Sequence, residues 1–265
     1  MNRIRVACFG LQGFGNDLLL SLSDKEDVEV LGIYTRETSF PFKYYASETM
    51  EAVADRMGVS LHYIPMEGDW DCGSADLAII SSFHRIFKKE HLGGFLHVIN
   101  IHPSLLPEYR GATPTNWMIK NGEQIVGLTA HMVDEGIDTG SILFQRNVLN
   151  PFLNDAQLRK ALSFLSRTLV GDIISHYPNY QEIAVKDTES YFSARAEADS
   201  IAKLSDFSTI DELVFHIKAF TNYPMPKLDI SGRVFVIDYE NPEISINIEL
   251  ANNSFDLLGY WQASD

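Results

Sequence analysis

DLAIISSFHRIFKKEHLGGFLHVINIHPSLLP, residues 76–107, holds two apolar runs, DLAIISS (76–82) and HVINI (97–101), parted by a short polar segment around KKEHLGG. Both runs are short and nearly continuously apolar, so they read as strands covered on both faces. The pattern continues outward. IRVACFG (4–10), VEVLGIYT (28–35) and VSLHYI (59–64) read as further strands, with helices expected from about Gly15 to Leu22 and near 47–57. Apolar strands alternating with helices predict an α/β fold, a doubly wound and mostly parallel sheet.

QIVGLTAHMVD (124–134) and GSILFQRNVLN (140–150) enclose the turn EGIDTG, and so short a link predicts an antiparallel pair. A helix follows at about 154–176, with Leu158, Leu162, Leu165, Leu169 and Ile173 recurring at three- and four-residue steps as a packing face. The first 180 residues read as one domain and 181–205 as a polar linker. Residues 206–265 read as a small C-terminal α+β subdomain, with Thr209 capping a helix from Asp211 to Ala219 and strands at 232–239 and 244–250.

Of the 265 residues 36 are acidic and 21 basic, a net charge of −15. That balance opposes binding to nucleic acid, whose affinity rests on Lys and Arg at phosphates. No segment approaches the roughly 18 apolar residues of a membrane span, and the N-terminus lacks a signal-peptide core, so a cytoplasmic protein without membrane contact is expected. Cys8 and Cys72 stand apart with no CxxC or HxxxH spacing, so neither a disulfide nor a metal site is expected.

Gly10, Gly13 and Gly15 follow the first strand as GxxGxG, whereas the dinucleotide fingerprint is GxGxxG. A tight strand-to-helix turn is the better reading. Asn100 and His102 share one face at the carboxyl end of a strand, where open α/β sheets place their ligand crevice. An amide donor beside an imidazole can hold a developing oxyanion and manage a proton, or can simply anchor a loop. Pro103 and Pro107 stiffen the loop that leaves this strand, Arg110 supplies a fork for anions, and Asp138 sits in the turn between the later strands. A carboxylate there would raise the pKa of His102 and orient it, or would cap its own turn.

The ordered set Asn100-Ile-His102-Pro-Ser104-Leu-Leu-Pro107, Tyr109-Arg110-Gly111-Ala-Thr-Pro114, Gly127-Leu-Thr129 and Asp134-Glu-Gly136-Ile-Asp138-Thr-Gly140 resembles the folate-dependent formyltransferases. The resemblance implies a Rossmann-like sheet and 10-formyltetrahydrofolate as formyl donor, with Asn100, His102 and Asp138 as the catalytic set. It implies folate contacts at Phe83, Arg85 and Ile86 and at Asp134, Gly136 and Ile137. Within the family the acidic charge and short C-terminal region favour a nucleotide-linked aminosugar, such as a dTDP-amino-dideoxyhexose, over methionyl-tRNA or glycinamide ribonucleotide. Ser104, Arg110, Trp117, Lys218 and Tyr223 are the candidates to hold that substrate. A folate or nucleotide binder without catalysis is the alternative outside enzymes. Strands near the C-terminus suggest a homodimer by strand pairing.

Overall fold

The structure is a computed structural model, and it describes residues 3–37, 48–151, 153–185, 191–221, 225–230, 232–237, 247–250 and 253–256. In chain order the elements of its larger part are β1 (Ile4–Gly10), α1 (Phe14–Leu22), β2 (Val28–Thr35), α2 (Met50–Met57), β3 (Leu61–Tyr63), β4 (Ala75–Ser81), α3 (Lys89–Leu92) and β5 (Phe95–His102). They continue with the two-residue β6 (Arg110–Gly111), α4 (Pro114–Lys120), β7 (Ile125–Met132), β8 (Ile142–Leu149) and α5 (Asp155–His176).

Among the described residues the main sheet has seven strands in the order β3-β2-β1-β4-β5-β7-β8. The pairs β2/β3, β1/β2, β1/β4 and β4/β5 are parallel. The chain therefore winds outward from β1 in one direction and then from β4 in the other. At the far side β7 runs antiparallel to β5. β8 is its neighbour in the sheet, the hairpin being closed by Met132 N–H donating to Ser141 O at 2.9 Å. The doubly wound, mostly parallel sheet expected from the sequence is the observed architecture.

The apolar strands are buried as their composition requires: Val6, Cys8, Phe9, Leu77, Ile79 and Ile99 are fully shielded from solvent. Burying each such aliphatic or aromatic side chain stabilises the fold by roughly 1.5–3 kcal/mol. On one face Phe9, Ala78, Ile80 and Val98 pack with Phe87, Cys72 and the half-buried Trp70 and Phe83. The side chains of Asn100 and His102 alternate on from Val98, so they emerge on that same face at the end of β5.

The GLQGFG turn is explained by close approach. A Cβ on Gly10 would lie 2.8 Å from Gly15 Cα and from Ser81 O, and one on Gly15 would lie 2.5 Å from Met50 Cε. The glycines let α1 sit down on β1, which is the turn the sequence suggested.

The described chain divides into two compact units, one of residues 1–111, 126–148 and 159–191, the other of residues 112–125, 149–158 and 192–265. The two-residue β9 (Tyr191–Phe192) falls at the boundary, and the second unit holds β10 (Ile201–Lys203), α6 (Ile210–Ala219), β11 (Lys227–Ile230), β12 (Arg233–Val236), β13 (Asn247–Leu250) and β14 (Asn253–Asp256). β10 pairs parallel to β11 and β11 antiparallel to β12, while β13 and β14 form a hairpin. Ala202, Leu213, Ile217, Leu228 and Ile237 form the core under α6. Thr209 caps α6 as expected, its Oγ1 accepting from Glu212 N at 3.2 Å.

Two features of this unit differ from the sequence reading. Residues 201–203, taken as linker, are a strand of the three-stranded sheet. The TPTNW stretch, to which the sequence reading assigned no element, begins the helix α4, with Pro114 in its first turn where a missing N–H costs nothing. Asn116 on α4 donates through Nδ2 to Ala219 O on α6, and Thr115 Oγ1 donates to the fully buried Asp155 at 2.7 Å. Parts of the strands expected at 232–239 and 244–250 lie outside the described residues.

Candidate active site

The pairing of β5 with β7 builds the site. Its register sets Asn100 opposite His131 and His102 opposite Thr129. Beyond β7 the turn brings Asp138 back toward these residues, held by Gly111 N–H donating to its Oδ2 at 3.0 Å. The turn itself is locked by Asp134, whose Oδ1 accepts from Gly136 N at 3.0 Å and from Thr139 Oγ1 at 2.6 Å.

Three side chains and one that the sequence reading missed converge on one point. His102 Nδ1 faces Asp138 Oδ2 at 3.5 Å, and His131 Nε2 faces Asp138 Oδ1 at 3.5 Å. Asn100 Nδ2 lies 3.1 Å from His131 Nε2 and 3.3 Å from Asp138 Oδ1. His102 Nε2 lies 3.0 Å from the Tyr109 carbonyl oxygen. A carbonyl only accepts, so Nε2 carries a proton and Nδ1 is the nitrogen left to gain or lose one beside Asp138. By the same reasoning His131 donates Nδ1–H to Met132 O at 2.8 Å and accepts the Asn100 amide through Nε2.

Burial opposes charge here. The carboxyl of Asp138 is pushed up by burial, but the rings of His102 and His131 and the Gly111 N–H outweigh that and hold it at about 2. It is a carboxylate at neutral pH. His102 is only 4% exposed, and burial pulls its pKa below the ordinary imidazole value. Asp138 and the Tyr109 carbonyl pull the other way and lose. The sequence reading expected Asp138 to raise this pKa overall; desolvation of the enclosed ring reverses the net sign. The site thus rests as a neutral imidazole beside an ionised carboxylate.

Backbone geometry marks the same place. Among the described residues of the larger unit, the non-glycine residues with left-handed φ are Ser82 at 59°, Tyr109 at 56° and Asp138 at 52°. They lie on the loops that leave β4, β5 and β7 at their carboxyl ends. Each costs on the order of 1–3 kcal/mol, and such conformations collect at functional sites.

The remaining sequence candidates separate. Ile86 and Ile137 are exposed apolar side chains, 63% and 42% accessible, on the loops after β4 and β7. Lys89, at the start of α3, and Glu135, after β7, pair at 3.5 Å, which draws the chain segments bearing Ile86 and Ile137 together. Such loops suit a flat ring system with polar edges. Phe83 belongs to the aromatic cluster around Phe9 and Trp70, with ring centroids 5.5 and 5.6 Å away, so its ring is engaged in the core. Arg85 donates to Pro65 O at 2.6 Å and to Gly68 O at 2.5 Å, which commits its guanidinium to the loop after β3. Gly136 has no room for a side chain, since a Cβ there would meet Thr139 Oγ1.

Among the substrate candidates, Ser104 is fully buried, its Oγ donating to Glu108 O at 2.7 Å. It staples its own loop. Lys218 is 9% exposed on α6, so it is not the open cation the sequence suggested. A helix face that looks solvated in the sequence is covered in the fold. Trp117 is half-buried in the second unit, with Nε1 donating to Ser193 O at 3.1 Å and Lys120 Nζ 5.2 Å from its ring centroid. Arg110 is half-buried on β6, within the same unit as His102. Tyr223 lies outside the described residues.

His131 escaped the sequence reading because a single histidine in an apolar strand looks like core. The signal was there: Gly127, Thr129 and His131 alternate on one face of QIVGLTAHMVD, and the strand that carries Asn100 and His102 is its natural neighbour.

Comparison with known proteins places the chain in a family. The formyl transferase family model matches residues 18–156, just over half of the chain. Methionyl-tRNA formyltransferase of Thermodesulfovibrio yellowstonii is 42% identical over 101 residues, 37% of this chain and 33% of that protein. The chain thus spans about a third of the length of that curated relative. Among solved structures, a 4-N formyltransferase from Francisella tularensis superimposes with a TM-score of 0.68 at 21% identity, over 88% of this chain and 96% of that one. An N-formyltransferase from Helicobacter canadensis, in complex with folinic acid and dTDP-3-aminofucose, gives 0.64 at 21% identity, over 86% and 85%. At that identity the structural likeness is one of fold.

Proposed function

Because the chain belongs to the formyl transferase family, we propose that it is an N-formyltransferase that moves the formyl group of 10-formyltetrahydrofolate to the amine of a nucleotide-linked aminosugar. The observation that carries the reaction is that a neutral His102 and the Asn100 amide both lie within 3.5 Å of an ionised Asp138.

The folate, when bound, supplies an activated formyl carbon. The chain segments bearing Ile86 and Ile137, drawn together by Lys89 and Glu135, are suited to hold its ring system against backbone groups. The chain's own residues supply the rest. Asn100 directs its amide N–H toward the formyl oxygen, giving up the longer 3.3 Å contact to Asp138 in favour of a stronger charge-assisted bond as negative charge develops. His102, neutral at rest, accepts a proton from the attacking amine at Nδ1 and becomes an imidazolium that Asp138 stabilises. The Tyr109 carbonyl keeps the Nε2–H in place throughout. Holding amine and formyl carbon together removes much of the remaining entropic barrier. The ring ends the cycle by releasing its proton to the departing nitrogen of the folate.

The acceptor is argued from charge and from the neighbours. A chain with 36 acidic and 21 basic residues repels a tRNA backbone, whereas a diphosphate needs only a few cations, with Arg110 the candidate closest in sequence to the site. The neighbour solved with dTDP-3-aminofucose supports an aminosugar. The identity to methionyl-tRNA formyltransferases favours a second reading, in which the amine is that of methionyl-tRNA. The test is an assay of tetrahydrofolate release from 10-formyltetrahydrofolate with a panel of dTDP- and UDP-linked aminosugars, methionyl-tRNA and glycinamide ribonucleotide. Turnover with a sugar nucleotide alone supports the proposal, and turnover with the tRNA alone replaces it with the second reading.

A further inference from the structure

We propose that Gln145, on β8, is a positioning residue that holds His102 in its working tautomer from outside the site. The inference rests on the reading of His102 as the proton acceptor. Gln145 is a solvent-exposed residue, so core packing does not account for where its side chain goes. Its amide Nε2 nonetheless donates to two atoms, Leu106 O at 2.8 Å and Thr129 Oγ1 at 2.9 Å.

Those two acceptors belong to one knot. Thr129, fully buried and opposite His102 in the β5/β7 register, accepts from Leu106 N–H at 2.9 Å and donates its hydroxyl proton to Ser104 O at 2.8 Å. Ser104 Oγ in turn donates to Glu108 O at 2.7 Å. The next residue is Tyr109, left-handed at φ 56°, whose carbonyl receives the Nε2–H of His102. The loop 103–109 leaves His102 and returns to it, and Gln145 closes that loop onto the edge strand.

The closure completes the bonding of this hydroxyl. Thr129 has one proton to give, and with Leu106 N–H and Gln145 Nε2–H both arriving at its oxygen, that proton is left for Ser104 O. Without the glutamine donor, Leu106 O loses its partner and Tyr109, already in a costly conformation, is freer to turn its carbonyl away. His102 would then be free to place its proton on Nδ1, next to Asp138, where it can no longer accept one from the amine. A displacement of this kind typically lowers turnover about 10- to 100-fold.

The test uses the full chain with ¹⁵N-labelled histidine, comparing wild type, Gln145→Met, which keeps the length and loses the donor, and Gln145→Lys, which restores a donor. The imidazole ¹⁵N and N–H resonances of His102 are read without substrate, and kcat and KM with 10-formyltetrahydrofolate and the accepted amine. The proposal expects Gln145→Met to weaken or lose the hydrogen-bonded Nε2–H signal and to lower kcat at least about tenfold with KM within about twofold. Gln145→Lys should recover a substantial part of both, and it also serves as the folded comparison if Gln145→Met is unstable. An unchanged ring spectrum in Gln145→Met overturns the proposal whatever the turnover. So does an unchanged kcat, or a loss that falls on KM alone. Failure of the reading on which it rests shows itself differently, as turnover that survives His102→Ala.

Discussion

In the proposed reaction His102 is the residue most exposed to a single change. His102→Ala removes the proton acceptor and should lower kcat by about 10²–10⁴ while leaving the fold intact, checked by initial rates beside circular dichroism. The pH profile carries the sign of the burial effect. The proposed reaction needs the neutral ring, and burial lowers the pKa of His102, so the acidic limb of kcat should lie below the ordinary imidazole range. Asp138 opposes that lowering, so Asp138→Asn should move the acidic limb further down as well as reduce kcat. An acidic limb that moves up in this variant would contradict the assignment of forces. At this scale the sequence was legible where spacing sets side chains on one face, since Asn100, His102 and Asp138 do converge. It was not legible where depth decides: Ser104 and Lys218 read as open polar groups and are covered, and His131 looks like core and faces the carboxylate. Even the sign of the His102 shift needed the fold, because a neighbouring charge can be read from a motif and desolvation cannot.

The β7/β8 hairpin carries Asp138 to its place, and its geometry depends on glycine. A Cβ on Gly140 would sit 1.9 Å from Met132 O, inside the hydrogen-bonded closure of the hairpin. Gly140→Ala should therefore destabilise the protein by at least about 2 kcal/mol and cost activity with it, seen as a lowered urea midpoint. Helix α6 makes a prediction about acid stability. His216 is 2% exposed and its Nε2 lies 3.1 Å from Ser200 O, and burial holds its pKa at about 4. Between about pH 6.5 and about 4 the unfolded chain binds a proton that the folded one refuses, so stability falls as pH falls through that window, by up to about 3 kcal/mol. His216→Gln should flatten that part of the dependence in urea unfolding at pH 7, 5 and 4. An unchanged slope would mean that the ring is not held neutral. The parallel strands were legible as elements because burial on both faces writes itself into composition. Helix α4 was hidden because Pro114 punctuates the sequence as a loop does, and β10 because three residues in a polar stretch carry too little pattern to show a strand that gains its partner only from β11.

At the scale of the whole molecule the doubly wound sheet sets out loops at the carboxyl ends of β4, β5 and β7, and the chemistry gathers there. The strongly acidic composition then argues about the partner. Raising ionic strength from about 0.05 to 0.2 M should change KM for a sugar nucleotide only modestly, whereas a tRNA substrate held by several phosphate contacts would lose about 10³-fold or more. The central claim is that one formyl group passes to an amine with His102 as the proton acceptor. Its most direct test is mass analysis of a dTDP-linked aminosugar after incubation with 10-formyltetrahydrofolate and either wild-type protein or His102→Ala. The account predicts an acceptor that gains one formyl group with wild type and stays unmodified over the same period with the variant. Equal formylation by the two proteins would contradict it.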